Sequence, residues 1–281
     1  MNKGILYLLL CSIIFGFGGF FIKMTVGMSS QQMLFSRAVA ACIFLFIVAL
    51  STGKLKELKI KFPLATIIMG LVEGLSLFFY YRALETTTIT NTTLLVYIAP
   101  VFSAILSTIF LKEKIEKRTF LGIIVSFIGV VIVSDPTKFS LDSSQMWGSI
   151  YALLGGFFYA AMAISSKNVV QKTTPLYATF WKYLVIAMLG AMFALPMETI
   201  QITNNIIPIL YGGWIAGGIA FLIYMRGISL VKGQIIQVIT MFEIVVASLS
   251  GILLLGERPT TQTLFGGFFI IGGILIVSSK K

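Results

Sequence analysis

The chain has 281 residues, 58% of them hydrophobic and only 11% charged, with a mean hydropathy of +0.99. Soluble domains carry roughly 25% charged residues, so a water-soluble enzyme is excluded at the outset. Histidine is absent, which removes imidazole proton relays and the commonest metal ligand, and leaves carboxylates as the only internal proton carriers.

Crossing a hydrocarbon core of about 30 Å takes about 20 apolar residues. Ten such runs follow one another at 4–22, 33–51, 63–83, 90–111, 119–134, 147–165, 176–195, 207–228, 235–255 and 262–279. Unpaired backbone groups are costly in lipid, so each run is expected to be an α-helix. The first is too long for a secretory signal and no small-residue cleavage site follows it. Its Gly16-Phe17-Gly18-Gly19 cluster lacks the strand, helix and acidic partner of a dinucleotide site. Like Gly155-Gly156, Gly217-Gly218 and Gly266-Gly267, it reads as close helix packing. Cys11 and Cys42 fall inside runs and suggest buried free thiols.

The second run carries Arg37, about a turn deep. The third holds Glu73 about ten residues in, roughly 15 Å from its start. The fourth adds Asn91, Thr92, Thr93, Tyr97 and Pro100, and a proline there frees a carbonyl one turn back. The seventh holds Lys182 and the eighth Trp214. In the ninth, Gln234, Gln237, Thr240 and Glu243 recur at spacings of three and share one helical face, with Glu243 roughly 12 Å deep.

The net charge of +11 invites a nucleic-acid reading, but the positions of the charges dismiss it. Lys3, Lys54, Lys56, Lys59, Lys61, Lys112, Lys114, Lys117, Arg118, Lys167, Lys172, Arg226, Lys232, Lys280 and Lys281 precede the first run, lie in alternate loops, or follow the last. That is 15 of 21 basic residues on one face; Lys138 belongs to the other. By the positive-inside rule both termini are cytoplasmic, with anionic lipid as the only polyanion in reach.

Shifting the chain by 144 residues lays residues 111–133 on 255–277, matching Leu111 with Leu255, Glu113 with Glu257, Thr119 with Thr263, Gly122 with Gly266 and Gly129 with Gly273. The same offset pairs Tyr80-Tyr81-Arg82 with Tyr224-Met225-Arg226, and Lys23 with Lys167. One offset through loops and helices alike predicts a duplication, 1–138 and 139–281. Five spans per copy is an odd number, so the second copy enters from the opposite side. The expected fold is an all-α integral membrane protein of ten transmembrane helices in two inverted five-helix repeats, the architecture of a carrier with a central site.

The stretch YYRALETTTITNTTLLVYIAPVFSAILSTIFLKEKI at 80–115, the later LLLGERPT at 253–260, and Phe35 with Arg37 resemble the drug/metabolite transporter superfamily in its EamA branch, over the whole chain. The resemblance implies a secondary transporter of a small organic solute in the cytoplasmic membrane, often for amino-acid or metabolite efflux. Spans 1, 3, 4, 6, 8 and 9 would surround the cavity, and spans 5 and 10 would support them. The Glu-Pro or Ala-Pro pair usual in span 9 is replaced here by Glu243-Ile244.

An acid near mid-bilayer costs about 2.5–3.5 kcal/mol on insertion scales, so Glu73 and Glu243 are the leading binding or coupling residues. Tyr80, Asn91, Tyr97, Trp214 and Gln237 join them as expected cavity residues. Arg37 and Lys182, near-equivalent under the repeat, are candidate gates that pair with carboxylates, although for Lys182 snorkelling to the interface is the preferred expectation. Glu113 and Glu257 read as loop-end caps. Trp147 and Trp181 read as interfacial belt residues.

Three functions follow. The first is a proton-coupled or facilitative exporter of an amino acid or related metabolite. The second is an uptake carrier for a cation such as a quaternary amine, held by carboxylates and ring faces. The third is a scaffold that transports nothing. No enzymatic activity, cofactor or metal is expected; the partners are the solute, protons and the bilayer, with a homodimer left open.

Overall fold

The computed structural model describes residues 2–135, 137, 139, 146–194, 196–256, 258 and 260–279. Lys138, Glu257, Lys280 and Lys281, used above for charge and repeat, lie outside the described residues. Within them the chain is helical, without strands, and nine helices are long and apolar enough to cross a membrane.

In chain order the helices are α1 (Lys3–Gly16), α2 (Gly18–Lys23), α3 (Ser30–Ser51), α4 (Pro63–Thr86), α5 (Ile89–Val96), α6 (Ala99–Leu111) and α7 (Lys117–Val133). The second half holds α8 (Met146–Val170), α9 (Pro175–Ala194), α10 (Thr199–Asn204), α11 (Ile206–Leu210), a π-helical stretch at Tyr211–Ala220, α12 (Phe221–Leu230), α13 (Gly233–Thr240), α14 (Phe242–Leu255) and α15 (Thr261–Ser278). Local chemistry starts them. Ser29 and Gln32 form a reciprocal capping box for α3, Thr88 caps α5, Thr260 caps α15, and Pro63 occupies the first turn of α4, where its missing N–H costs nothing.

Three membrane-length segments are interrupted: α1 from α2 at Phe17, α5 from α6 at Tyr97 and Ile98, and α13 from α14 at Met241. The middle break has its cause in Pro100, which cannot donate to the Val96 carbonyl. That carbonyl instead faces Gly156, where a Cβ would stand 2.6 Å from it. The break at Met241 needs no proline, so the missing Pro after Glu243 leaves the interruption in place. Tyr97 and Met241 lie 144 residues apart, as do Lys112 and Gly256, the two left-handed residues that end α6 and α14.

Glycines set the closest approaches. Helices α7 and α15 run antiparallel, with Gly122 against Gly273 and Gly129 against Gly266; a Cβ on Gly129 would stand 2.6 Å from the Gly266 carbonyl. Gly16 packs on Val246 and the Glu243 carbonyl. A Cβ on Gly18 or Gly19 would meet nothing within 4 Å, so two of that cluster's three glycines do not serve the packing expected of them. Around these contacts α4 lies on α8, α3 on α9, and α1 on α12 and α14. The main core gathers Leu8, Met69, Tyr177, Met225, Ile236 and Ile239.

Gly129→Val pushes a branched side chain into backbone. It is expected to cost roughly 1–3 kcal/mol and to lower the melting temperature in detergent by several degrees. Gly18→Ala meets open space and is expected to leave the melting temperature unchanged or to raise it slightly.

Candidate functional site

Glu243 sits in the first turn of α14, two residues past the break. Tyr97, the residue at which α5 ends, donates its hydroxyl to Glu243 Oε1 at 2.9 Å, and Tyr159 of α8 reaches the same oxygen at 3.4 Å. Two interrupted segments and a continuous one thus converge on one carboxylate oxygen. Gln237 donates through Nε2 to the Tyr159 carbonyl at 2.9 Å, and the Thr240 hydroxyl donates to Gln237 Oε1 at 3.2 Å. Three of the four polar residues predicted on one face of the ninth span therefore meet at Tyr159. Gln234 turns away, donating to the Lys114 carbonyl at 2.9 Å.

Glu73 lies one wall away, buried in α4. Its Oε1 stands 3.8 Å from the Nζ of Lys182, which is fully buried. Lys182 does not snorkel: its ammonium rests 2.9 Å from the ring centre of Phe221 and 4.5 Å from that of Tyr183. Reaching the surface would require its long side chain to pass packed rings, and the carboxylate opposite rewards staying. Phe15 and Tyr224 pack on Phe221 at 5.0 and 5.5 Å between ring centres. Tyr159 and Tyr224 lie within electrostatic reach of both Glu73 and Glu243, so the two acids share a wall of rings.

The other predicted residues divide. Tyr80 lies within reach of the Glu243 charge and packs on Tyr81, ring centres 5.7 Å apart and the planes tilted by 58°. Asn91 is buried in the first turn of α5, its backbone N–H on the Thr88 hydroxyl and its amide on Thr87 at 3.1 Å, which is a helix-start role. Trp214 packs on Phe44, ring centres 5.6 Å apart, and is 37% exposed. Arg37 is half-buried against Gly212 of the π-helical stretch, in a cleft with Phe21, Thr25 and Tyr211; among the described residues it has no ion pair. Phe221, Tyr183 and Tyr224 were not singled out as site residues from sequence. The signal for Tyr224 was present, since it is the repeat mate of Tyr80.

A model of the EamA-like transporter family matches the chain twice, over residues 2–135 and 146–279. The chain is 25% identical over 289 residues to an uncharacterized transporter, YxxF, of Bacillus subtilis (strain 168), covering 100% of this chain and 91% of that one. It is 23% identical to the S-adenosylmethionine uptake transporter of Rickettsia bellii (strain RML369-C), covering 90% of this chain and 85% of that one. It is 22% identical to solute carrier family 35 member G1 of Homo sapiens, covering 99% and 79%. A solved crystal structure superposes with a TM-score of 0.84 at 15% identity, over 99% of this chain and 97% of the other, a likeness of fold.

The basic end of the bundle is tied shut below the site. Glu113 accepts from the backbone N–H groups of Gly233 at 3.0 Å and Gln234 at 3.4 Å, capping α13, and stands 3.8 Å from Lys167. Glu116 bridges Lys232 and Arg118, and Arg118 donates to the Ser279 carbonyl at 2.6 Å. Hydrogen bonding from Lys232 first, then Arg118, holds the Glu116 carboxyl below the ordinary glutamate value of 4.5. A lowered value means the bridge contributes at any pH above the ordinary value and is lost only as pH falls through the lowered one. A spin-label pair on exposed Ile115 and Leu230 is therefore expected to keep its distance from pH 7 down to 4.5 and to lengthen only below that.

Proposed function

The chain belongs to the EamA-like transporter family of the drug/metabolite transporter superfamily, a transporter and not an enzyme, and on that premise we propose that it moves a small organic solute across the cytoplasmic membrane by alternating access. The observation that carries this reading is the Glu243 carboxylate, gripped by Tyr97 and Tyr159 where spans 4 and 9 are interrupted. Broken helices near mid-membrane are where carriers of this kind bind substrate and coupling ions, because the freed backbone groups are tolerated only beside a polar cavity.

We read the chain as ten spans in two inverted repeats, 1–138 and 139–281, with both termini cytoplasmic. Helix α7, at 17 residues, is the tenth span alongside the nine longer ones. Support comes from the double family match at an offset of 144 residues, and from α7 packing antiparallel on α15, its repeat mate, through matched glycines. Mates that meet antiparallel are what a two-fold axis in the membrane plane requires.

For the solute, the primary reading is export of an amino acid or related metabolite, with Glu243 binding the amine or carrying a proton. Uptake of a cationic solute is the second, favoured by an ammonium already seated on rings beside Glu73. Two Rickettsia relatives are named as S-adenosylmethionine uptake transporters; that solute carries both an amino-acid group and a sulfonium, so it belongs in the first panel tested.

Flux of radiolabelled amino acids, quaternary amines and S-adenosylmethionine into and out of proteoliposomes tests the reading, and silence across the panel would return the chain to a scaffold. Tyr97→Phe removes a hydrogen bond to a charged group and is expected to cut the transport rate about ten-fold or more. Glu243→Gln is expected to abolish the pH response of flux; an unchanged response there would end proton coupling through this acid.

A further inference from the structure

Resting on the carrier reading above, we propose that Glu73, Phe221 and Tyr183 form a binding site for the cationic group of the solute, and that Lys182 is a tethered occupant which the solute displaces. The inference starts from how poorly Lys182 and Glu73 are satisfied. Their 3.8 Å separation is longer than a charge-assisted hydrogen bond, and among the described residues neither Lys182 Nζ nor Glu73 Oε2 has a hydrogen-bond partner. A buried ion pair repays its desolvation only with good geometry and further hydrogen bonds.

The same chain contains a buried lysine that meets those terms. Lys167 donates to the Val231 carbonyl and to the Ile228 carbonyl at 3.3 Å, while also facing Glu113. That is a lysine fixed in place. Lys182 holds its ammonium by ring faces and a distant carboxylate alone, with Phe221 at 2.9 Å and Tyr183 at 4.5 Å.

Ring faces plus one carboxylate, without directional acceptors, suit any compact organic cation. An ammonium with three donors gains less there than a quaternary ammonium or a sulfonium, which has no N–H to satisfy. A solute bearing such a group therefore competes with Lys182 for the cage, and the freed lysine refills it when the solute leaves. A cation, solute or lysine, thus faces Glu73 in both the loaded and the empty carrier.

The probe is tetramethylammonium, with tert-butanol as the neutral compound of similar shape. In wild-type protein in detergent, acylation of Lys182 by an amine-reactive reagent, read by mass spectrometry, is expected to rise with tetramethylammonium and saturate, and not to change with tert-butanol. Lys182→Met is expected to bind tetramethylammonium about ten-fold or more tightly than wild type, since no tethered competitor remains. Adding Glu73→Gln or Phe221→Leu to Lys182→Met is expected to lose about ten-fold or more of that affinity.

Lys182 labelling that stays flat at every tetramethylammonium concentration overturns the proposal, and this arm stands whether or not Lys182→Met folds. Equal affinity in wild type and a folded Lys182→Met also overturns it, leaving a permanent structural pair. Loss of solute flux with these binding results intact would remove the carrier reading and leave the cation site. Flux without them would remove the site alone.

Discussion

Placing a carboxylate deep in a membrane-length bundle is the constraint on which the rest of this structure depends. Each such group costs about 2.5–3.5 kcal/mol on insertion scales, and two of them sit here among rings. The Glu243 charge is met by two tyrosine hydroxyls at 2.9 and 3.4 Å. The interruptions at Tyr97 and Met241 lie beside this polar centre, and Gly16 and Gly156 supply the room in which carbonyls and crossing helices fit.

The second acid is handled differently. Glu73 faces a cation rather than hydroxyls, and that cation is held mainly by ring faces. Tyr159 and Tyr224 stand within reach of both acids.

Much of the fold was legible in the sequence because lipid imposes long, regular signals. Apolar runs gave the helices, and the breaks at Tyr97 and Met241 and the left-handed ends at Lys112 and Gly256 recur at the offset of 144 residues that the sequence shows. The depth of Glu73 and Glu243 marked them as polar centres for the same reason. What failed was side-chain direction, which hydropathy does not encode. Lys182 was expected to snorkel, yet it turns inward because rings from the π-helical end and Glu73 from α4 wait there. Trp214 was placed at the cavity by its position along the eighth span, but the wide π-turn around Gly212, Gly213, Gly217 and Gly218 turns it towards Phe44. Asn91 bonds Thr87 and Thr88, its own neighbours at the start of α5, a contact that spacing along the span does not predict.

Under the two-repeat reading proposed above, the chemistry does not repeat, and that bears on how a solute would be handled. Rings occur as mates, Tyr80 with Tyr224, and so do the breaks at Tyr97 and Met241. The acids do not: the position matching Glu73 is Gly217, and the position matching Glu243 is Ala99. Gly217 contributes room instead, since a Cβ there would stand 3.2 Å from the Tyr183 ring. Exchanging the roles of two equivalent halves would move the skeleton between equivalent shapes, but it could not exchange a carboxylate for a glycine. A solute arriving from one face would therefore meet the acids in a different order from one arriving from the other. Directional preference in a carrier read this way needs no difference in the skeleton; two unmatched carboxylates suffice.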